Sequence, residues 1–323
     1  MEKPKVSVIV PFVREWPQVA FTIRSIHESL KGISHEVLAI DNLTSTMKED
    51  RGSKNVKGMA NEWASSGDPW LKYYHYKDKL SHWQCKNFGT REAKGSILWF
   101  IDSHCIVPSS AAEAILFYES NYVDLKGSLH LPLTYHILEP RQLMYKAAVM
   151  VKKGDYHYTF HTFNRNKYLE RERVIEVPAM STCGMIMHRD YMRQLGGWPV
   201  SLGIYGGGEN FINFTMAVLG LKKWVWIGDS LCHHGDKRGY AWNLYDQQRN
   251  RAIATYMFGG ERLLRKWANE VGKFSHNERR RAIESIRKEC NLHREAVKIL
   301  QVCEIEEWVD QWKSHELMVG DYE

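Results

Sequence analysis

The sequence lacks any apolar run approaching the ~20 residues a helix needs to cross a bilayer, so a membrane partner is not expected. Its opening, MEKPKVSVIVPF, has too short an apolar stretch for a secretory signal and no small-residue cleavage pattern. Both absences point to a protein that stays in the cytoplasm where it is made, or in the host cytoplasm if a virus encodes it. Six cysteines, at 85, 105, 183, 232, 290 and 303, include no CxxC pair. That argues against a zinc ribbon or a disulfide framework and fits free thiols in a reducing compartment. A large excess of one charge is missing too. The formal net charge of +6 is a mild basic bias, short of a dedicated nucleic-acid binder.

What is present is an ordinary globular composition, 44% hydrophobic and 25% charged over 323 residues, long enough for one large domain or two small ones. KVSVIVPF reads as a buried strand, and WPQVAFTIRSIHESLKG as a helix carrying Val19, Ile23, Ile26 and Leu30 on one side and stopping at Gly32. HEVLAIDN is a second strand, HWQCKNFGTREAKG a helix closed by Gly95, and SILWFIDSHC the next strand. This alternation predicts an α/β fold, a doubly wound and mostly parallel sheet. Ligands in such sheets bind outside the carboxyl ends of the strands, where Asp41 and Asp102 fall. After residue 250, Ile283, Ile286, Cys290, Ala296, Ile299, Leu300 and Cys303 recur at helical spacing. The expected organisation is a catalytic domain over 1–250, divided near 107, with a helical extension over 251–323.

The stretch FIDSHCIV, residues 100–107, carries the first chemical signal. Asp102 and His104, two apart on an extended segment, point to one face. A carboxylate oxygen and an imidazole nitrogen together suit Mn²⁺ or a neighbouring first-row ion. A capping acid beside a hydrogen-bonded histidine would leave the same pattern.

Residues 177–240 add LGGW at 195–198, GGEN at 207–210 and a pair of histidines, His233 and His234. With Asp102-x-His104, these resemble the nucleotide-sugar glycosyltransferases of GT-A fold, and within them the polypeptide N-acetylgalactosaminyltransferases. The likeness runs in order through about residues 5–245, VSVIVPF and AIDN included. It implies a UDP-sugar donor and a divalent metal, held by Asp102, His104 and His234, with His233 a packing or supporting residue. Asp41 is implied at the uracil ring, Pro11 and Phe12 along the base pocket, and Asn87 and Gly89 near the nucleotide. Ser103 and Trp242 join the donor-binding residues. Lys237 and Arg238 are implied to face the leaving diphosphate from a loop that closes over the donor, with Tyr240 or Trp242 shielding it from water.

Glu209 is the implied sugar-binding acid, its preceding glycines permitting close backbone approach. Asn210 stands where inverting relatives hold a second acid, and an amide cannot take a proton, so a retaining transfer is expected. Two departures stand out: Asn42 replaces a second acid after Asp41, and Ser181-Thr182-Cys183-Gly184 replaces the family's paired glycines.

The acceptor is less constrained. Nine Lys/Arg against five Asp/Glu lie between Glu261 and Cys290, including Arg279, Arg280 and Arg281. Residues 152–173 mix basic side chains with Tyr156, Tyr158, Phe160, Phe163 and Tyr168. These segments, 152–173 and 262–288, favour DNA as partner, the sugar going to a 5-hydroxymethylpyrimidine as in phage-type DNA. A polypeptide Ser/Thr, a polysaccharide, a small-molecule hydroxyl, or a non-catalytic sugar-nucleotide or glycan-binding module stay open.

Overall fold

The computed structural model describes residues 3–135, 143–152, 155–163, 172–234, 240–272 and 274–313, with the backbone alone at 135, 143–152, 155–163 and 313. The chain alternates strand and helix through its first half: β1 Val6–Phe12, α1 Gln18–Ser29, β2 His35–Asp41, α2 Arg51–Ser65, β3 Leu71–His75, α3 His82–Glu92 and β4 Ile97–Phe100. It continues through β5 Cys105–Ile106, α4 Ala111–Leu125, β6 Gly127–His130, β7 Leu133–Tyr135, β8 Leu143–Lys152 and β9 Asp155–Phe163. Then come β10 Val174–Glu176, β11 Met185–His188, α5 Arg189–Leu195, α6 Gly208–Val218, β12 Lys222–Trp226 and β13 Leu231–His233. Helices α7 Leu244–Glu270, α8 His276–Leu300 and α9 Ile305–Lys313 follow.

The main sheet runs β10-β12-β6-β11-β4-β1-β2-β3. Strand β1 lies parallel between β2 and β4, and β2 parallel to β3; β11 is antiparallel to β4 and β6. All seven residues of β1 are buried, as expected of a strand covered by helices on both faces, which needs no polar alternation. The expected doubly wound α/β sheet is what forms. Because β2 and β4 flank β1 on opposite sides, a crevice opens at the carboxyl ends of β1 and β4. Glu15, Asp102 and His104 follow those two ends.

A second sheet, β5-β13-β7-β8-β9, lies beside the first. Part of the aromatic, basic stretch at 152–173 forms strand β9, Asp155–Phe163, paired antiparallel with β8. Its aromatics alternate with His157, Thr159 and His161, a period of two that marks a strand. Their side chains, and Tyr168, lie outside the described residues.

Helix α8 begins with a capping box in which Ser275 and Glu278 satisfy each other's backbone N–H groups. Helices α6 to α9 share one hydrophobic core with the sheet: Phe211, Phe214, Leu264, Trp267, Ile286 and Val309 belong with Ile9, Leu38 and Phe100. Helix α7 starts ahead of residue 250, and its first turns hold the loop that leads into α6. There Arg249 Nη1 donates to the Ser201 carbonyl at 2.9 Å and Asn250 Nδ2 to the Tyr205 carbonyl at 2.8 Å. No described helix is long and apolar enough to cross a membrane.

Candidate active site

Asp102 and His104 follow β4 at its carboxyl end, and β13 runs antiparallel to β5 with His233 opposite Cys105. This pairing brings a third side chain to the crevice. One ligand atom each from Asp102, His104 and His233 lie within 4.8 Å of one another. His104 Nε2 and His233 Nε2 are 2.7 Å apart, and His233 Nε2 is 3.9 Å from Asp102 Oδ2. The family resemblance implies His234 as the third ligand with His233 in support; the geometry groups His233 with Asp102 and His104. Neighbours on an extended segment point to opposite sides. His234 accordingly lies edge-on to Phe21, ring centroids 6.3 Å apart. Its Nε2 is buried with no hydrogen-bond partner among the described residues, and burial, then His104 and His233, lower its pKa.

Lys86, on α3, is 1% exposed, and nothing in its sequence context marked it. Its ammonium lies 3.7 Å from Asp102 Oδ1, donates to Thr182 Oγ1 at 2.9 Å, and sits 5.1 Å from the centre of the Trp83 ring. Burial alone would raise the Asp102 carboxyl. Lys86 first, then the neighbouring His233 and His104, hold it well below the usual carboxylate range. A carboxylate kept ionised beside imidazoles is a good seat for a divalent ion.

The chain of contacts continues from Lys86 to α6. Thr182 N and Ser181 Oγ both donate to Glu209 Oε1, at 3.4 and 3.0 Å. Thr182 thus ties the candidate sugar acid, through its backbone N–H, to the lysine beside Asp102, through its hydroxyl, and the Ser181 side chain adds a second bond to the acid. Asn210 is buried in the first turn of α6. The glycines before Glu209 serve the protein itself: a Cβ on Gly207 would lie 2.1 Å from the Asn250 carbonyl oxygen, and one on Gly208 2.4 Å from the Trp83 ring.

Several residues expected at the nucleotide are occupied within the fold. Asp41 is fully buried; its Oδ2 accepts from Tyr73 OH at 2.7 Å and its Oδ1 from Leu43 N at 3.1 Å. Burial, then the Asp41 hydrogen bond, raise the Tyr73 phenol in turn. Asn42 Nδ2 donates to the carbonyls of Tyr76 and Lys79, and its Oδ1 accepts from Ser81 N at 2.7 Å, so it caps the entry to α3. An acid there would lose both donated bonds, which explains the amide. Asn87 is bonded to both the N–H and the carbonyl of Trp198, and so fixes the LGGW turn. Gly89 seats α3 on β1, since a Cβ there would meet Ile9 at 2.6 Å. Pro11 and Phe12 are buried at the end of β1, Phe12 6.5 Å from the Tyr73 ring centre. The Ser103 hydroxyl is hydrogen-bonded to Glu15, a residue that the motifs gave no reason to select. Trp242 is 46% exposed and its ring lies 4.7 Å from that of Tyr205. Lys237 and Arg238 lie outside the described residues.

Residues 7–124 match the model of glycosyl transferase family 2. The chain is similar to the probable N-acetylgalactosaminyltransferase 9 of Caenorhabditis elegans, 23% identical over 286 residues, 85% of this chain and 47% of that protein. It is also similar to the putative polypeptide N-acetylgalactosaminyltransferase 13 of Drosophila melanogaster, 23% identical over 213 residues, 62% of this chain and 36% of that one. The chain spans under half the length of these curated relatives. Among solved structures, GalNAc-T7 with UDP, GalNAc and Mn²⁺ superposes with a TM-score of 0.67 at 14% identity, over 99% of this chain and 58% of that one. The fold is therefore that of the GT-A glycosyltransferases.

Proposed function

We propose that the chain is a metal-dependent glycosyltransferase that moves a hexosyl or N-acetylhexosaminyl group from a UDP-sugar to an acceptor hydroxyl, with retention. The observation that carries this reading is the meeting of Asp102, His104 and His233 at the carboxyl ends of β1 and β4, joined through Lys86 and Thr182 to Glu209 on α6. Glycosyl transferase family 2 over residues 7–124, and a neighbour solved with UDP, GalNAc and Mn²⁺, support the donor class.

One carboxylate and imidazole nitrogens fit Mn²⁺, with the unpartnered Nε2 of His234 at the flank. A bound divalent ion supplies Lewis-acid neutralisation of the leaving diphosphate. Asp102 and the two imidazoles supply its ligand atoms, and Lys86 keeps Asp102 ionised beside it. Glu209, which accepts from Ser181 and Thr182, binds a sugar hydroxyl. Asn210 cannot act as a base, so the acceptor proton goes to the departing phosphate and the anomeric configuration is kept.

For the acceptor, the names of both curated relatives favour a hydroxyl of the type N-acetylgalactosaminyltransferases use, the Drosophila protein being named for a polypeptide. DNA is not supported. Within the basic segment 262–288, three arginines are paired with carboxylates: Arg262 with Glu306 at 3.2 Å, and Arg265 and Arg287 with Glu261. Charges spent on carboxylates release no counterions from a phosphate backbone.

The experiment is nucleotide release from a panel of UDP-sugars with and without Mn²⁺, then transfer to a Ser/Thr-rich peptide and to duplex DNA carrying 5-hydroxymethylpyrimidine. Mn²⁺-dependent release of UDP with sugar on the peptide is expected. Intact UDP-sugar under all conditions would return the protein to the class of binding modules. Sugar on DNA alone would reverse the choice of acceptor.

A further inference from the structure

Glu15 sits in the turn between β1 and α1, 7% exposed, and its carboxylate meets two donors and one imidazole nitrogen. Ser103 Oγ and Val13 N reach Oε2, and His104 Nδ1 lies 3.2 Å from Oε1. The residue before it, Arg14, has φ 56, a left-handed conformation that side chains other than glycine, asparagine and aspartate rarely take. The turn is held in that shape while aiming the carboxylate inward at two consecutive residues of the Asp102-Ser103-His104 segment.

We propose that Glu15 is a positioning residue of the metal centre. It fixes the segment through Ser103 and holds His104 in the tautomer protonated on Nδ1, so that the Nε2 lone pair faces Asp102 and His233. A carboxylate oxygen only accepts, so the nitrogen bonded to it carries the proton. The opposite nitrogen then has its lone pair directed at the site, where it accepts from His233 until an ion takes that place. Carboxylates behind metal-bound histidines fix the ring and raise its basicity, and their loss typically weakens metal binding by about 10- to 100-fold. The inference rests on the reading of Asp102, His104 and His233 as ligands.

Two measurements test it. Mn²⁺ affinity, read from the free-ion electron paramagnetic resonance signal with no donor present, is compared in the wild-type protein, Glu15→Gln and His104→Ala. Glutamine keeps the shape and removes the charge. The expected order is wild type tightest, Glu15→Gln weaker by about 10- to 100-fold, and His104→Ala without measurable binding. The tautomer of His104 in the metal-free wild type is read by ¹⁵N–¹H correlation through the ring, which needs no variant to fold; protonation on Nδ1 is expected. If His104→Ala loses Mn²⁺ while Glu15→Gln binds as wild type, or if His104 is protonated on Nε2, the role of Glu15 is overturned and the metal site stands. If the wild type and His104→Ala bind Mn²⁺ alike, the ligand reading itself fails.

Discussion

The rings of His104 and His233 stand nearly perpendicular, at 87°, with their Nε2 atoms 2.7 Å apart. One of the two must donate while no ion is bound, and both nitrogens would be available to a divalent ion held by this group. His233→Ala should therefore weaken Mn²⁺ binding by at least tenfold, the scale of a lost ligand contact. His234→Ala, altering a ring turned toward Phe21, should shift the affinity by less than about threefold, well under the 1.4 kcal/mol that a factor of ten represents. Titration of both variants decides the matter; the opposite ranking would make His234 the ligand and His233 its neighbour.

Asp41 offers a second test, because its carboxylate is engaged by Tyr73 and Leu43 inside the fold. Tyr73→Phe leaves a buried carboxylate short of one strong donor and should cost roughly 1–3 kcal/mol of stability in a denaturant titration. UDP affinity of the folded variant should change little. A variant of wild-type stability with weak UDP binding would return Asp41 to the base pocket.

The sheet was legible in the sequence because its strands are buried on both faces and read as apolar runs between helices with visible stops. Asp102 and His104 were legible for a related reason: they interrupt such a run at its end, where a polar pair needs a purpose. Spacing along the chain does not say which of two adjacent histidines faces the crevice; the pairing of β13 with β5 brings His233 toward Asp102 and His104. Lys86 and Glu15 were invisible because each meets the site only through the fold, Lys86 from the buried side of α3 and Glu15 from a turn 87 residues before Asp102 in the chain.

The glycines ahead of Glu209 predict a graded effect. Gly207 has φ 74 and would bring a Cβ to 2.1 Å from the Asn250 carbonyl oxygen, so Gly207→Ala is strained twice, in backbone and in contact. Gly208 meets the Trp83 ring at 2.4 Å but without positive φ. Both substitutions should lower nucleotide-release activity by shifting Glu209, and the melting temperature should fall further for Gly207→Ala. Equal melting temperatures for the wild type and Gly207→Ala would mean that the α6–α7 contact yields freely.

Lys223 gives a prediction in pH. It is 2% exposed on β12, with its ammonium 3.1 Å from the Asn213 carbonyl oxygen and 4.9 Å from the centre of the Trp308 ring on α9. Burial brings its pKa down to about 7, against 10.5 in the unfolded chain, with Glu176 and Cys303 opposing only in part. Between those two values the unfolded chain binds a proton that the folded chain does not, so stability rises with pH across that window. Below pH 7 both states are protonated and the cost of burying the charge is fully present. Lys223→Met keeps the length of the side chain and its contact with Trp308 while removing the charge. It should melt higher than the wild type at pH 6.5, and the gap should close as the pH is raised toward 10. A gap that stays constant from pH 6.5 to 10 would show that Lys223 keeps its proton in the folded protein, held by the Asn213 carbonyl and the Trp308 ring.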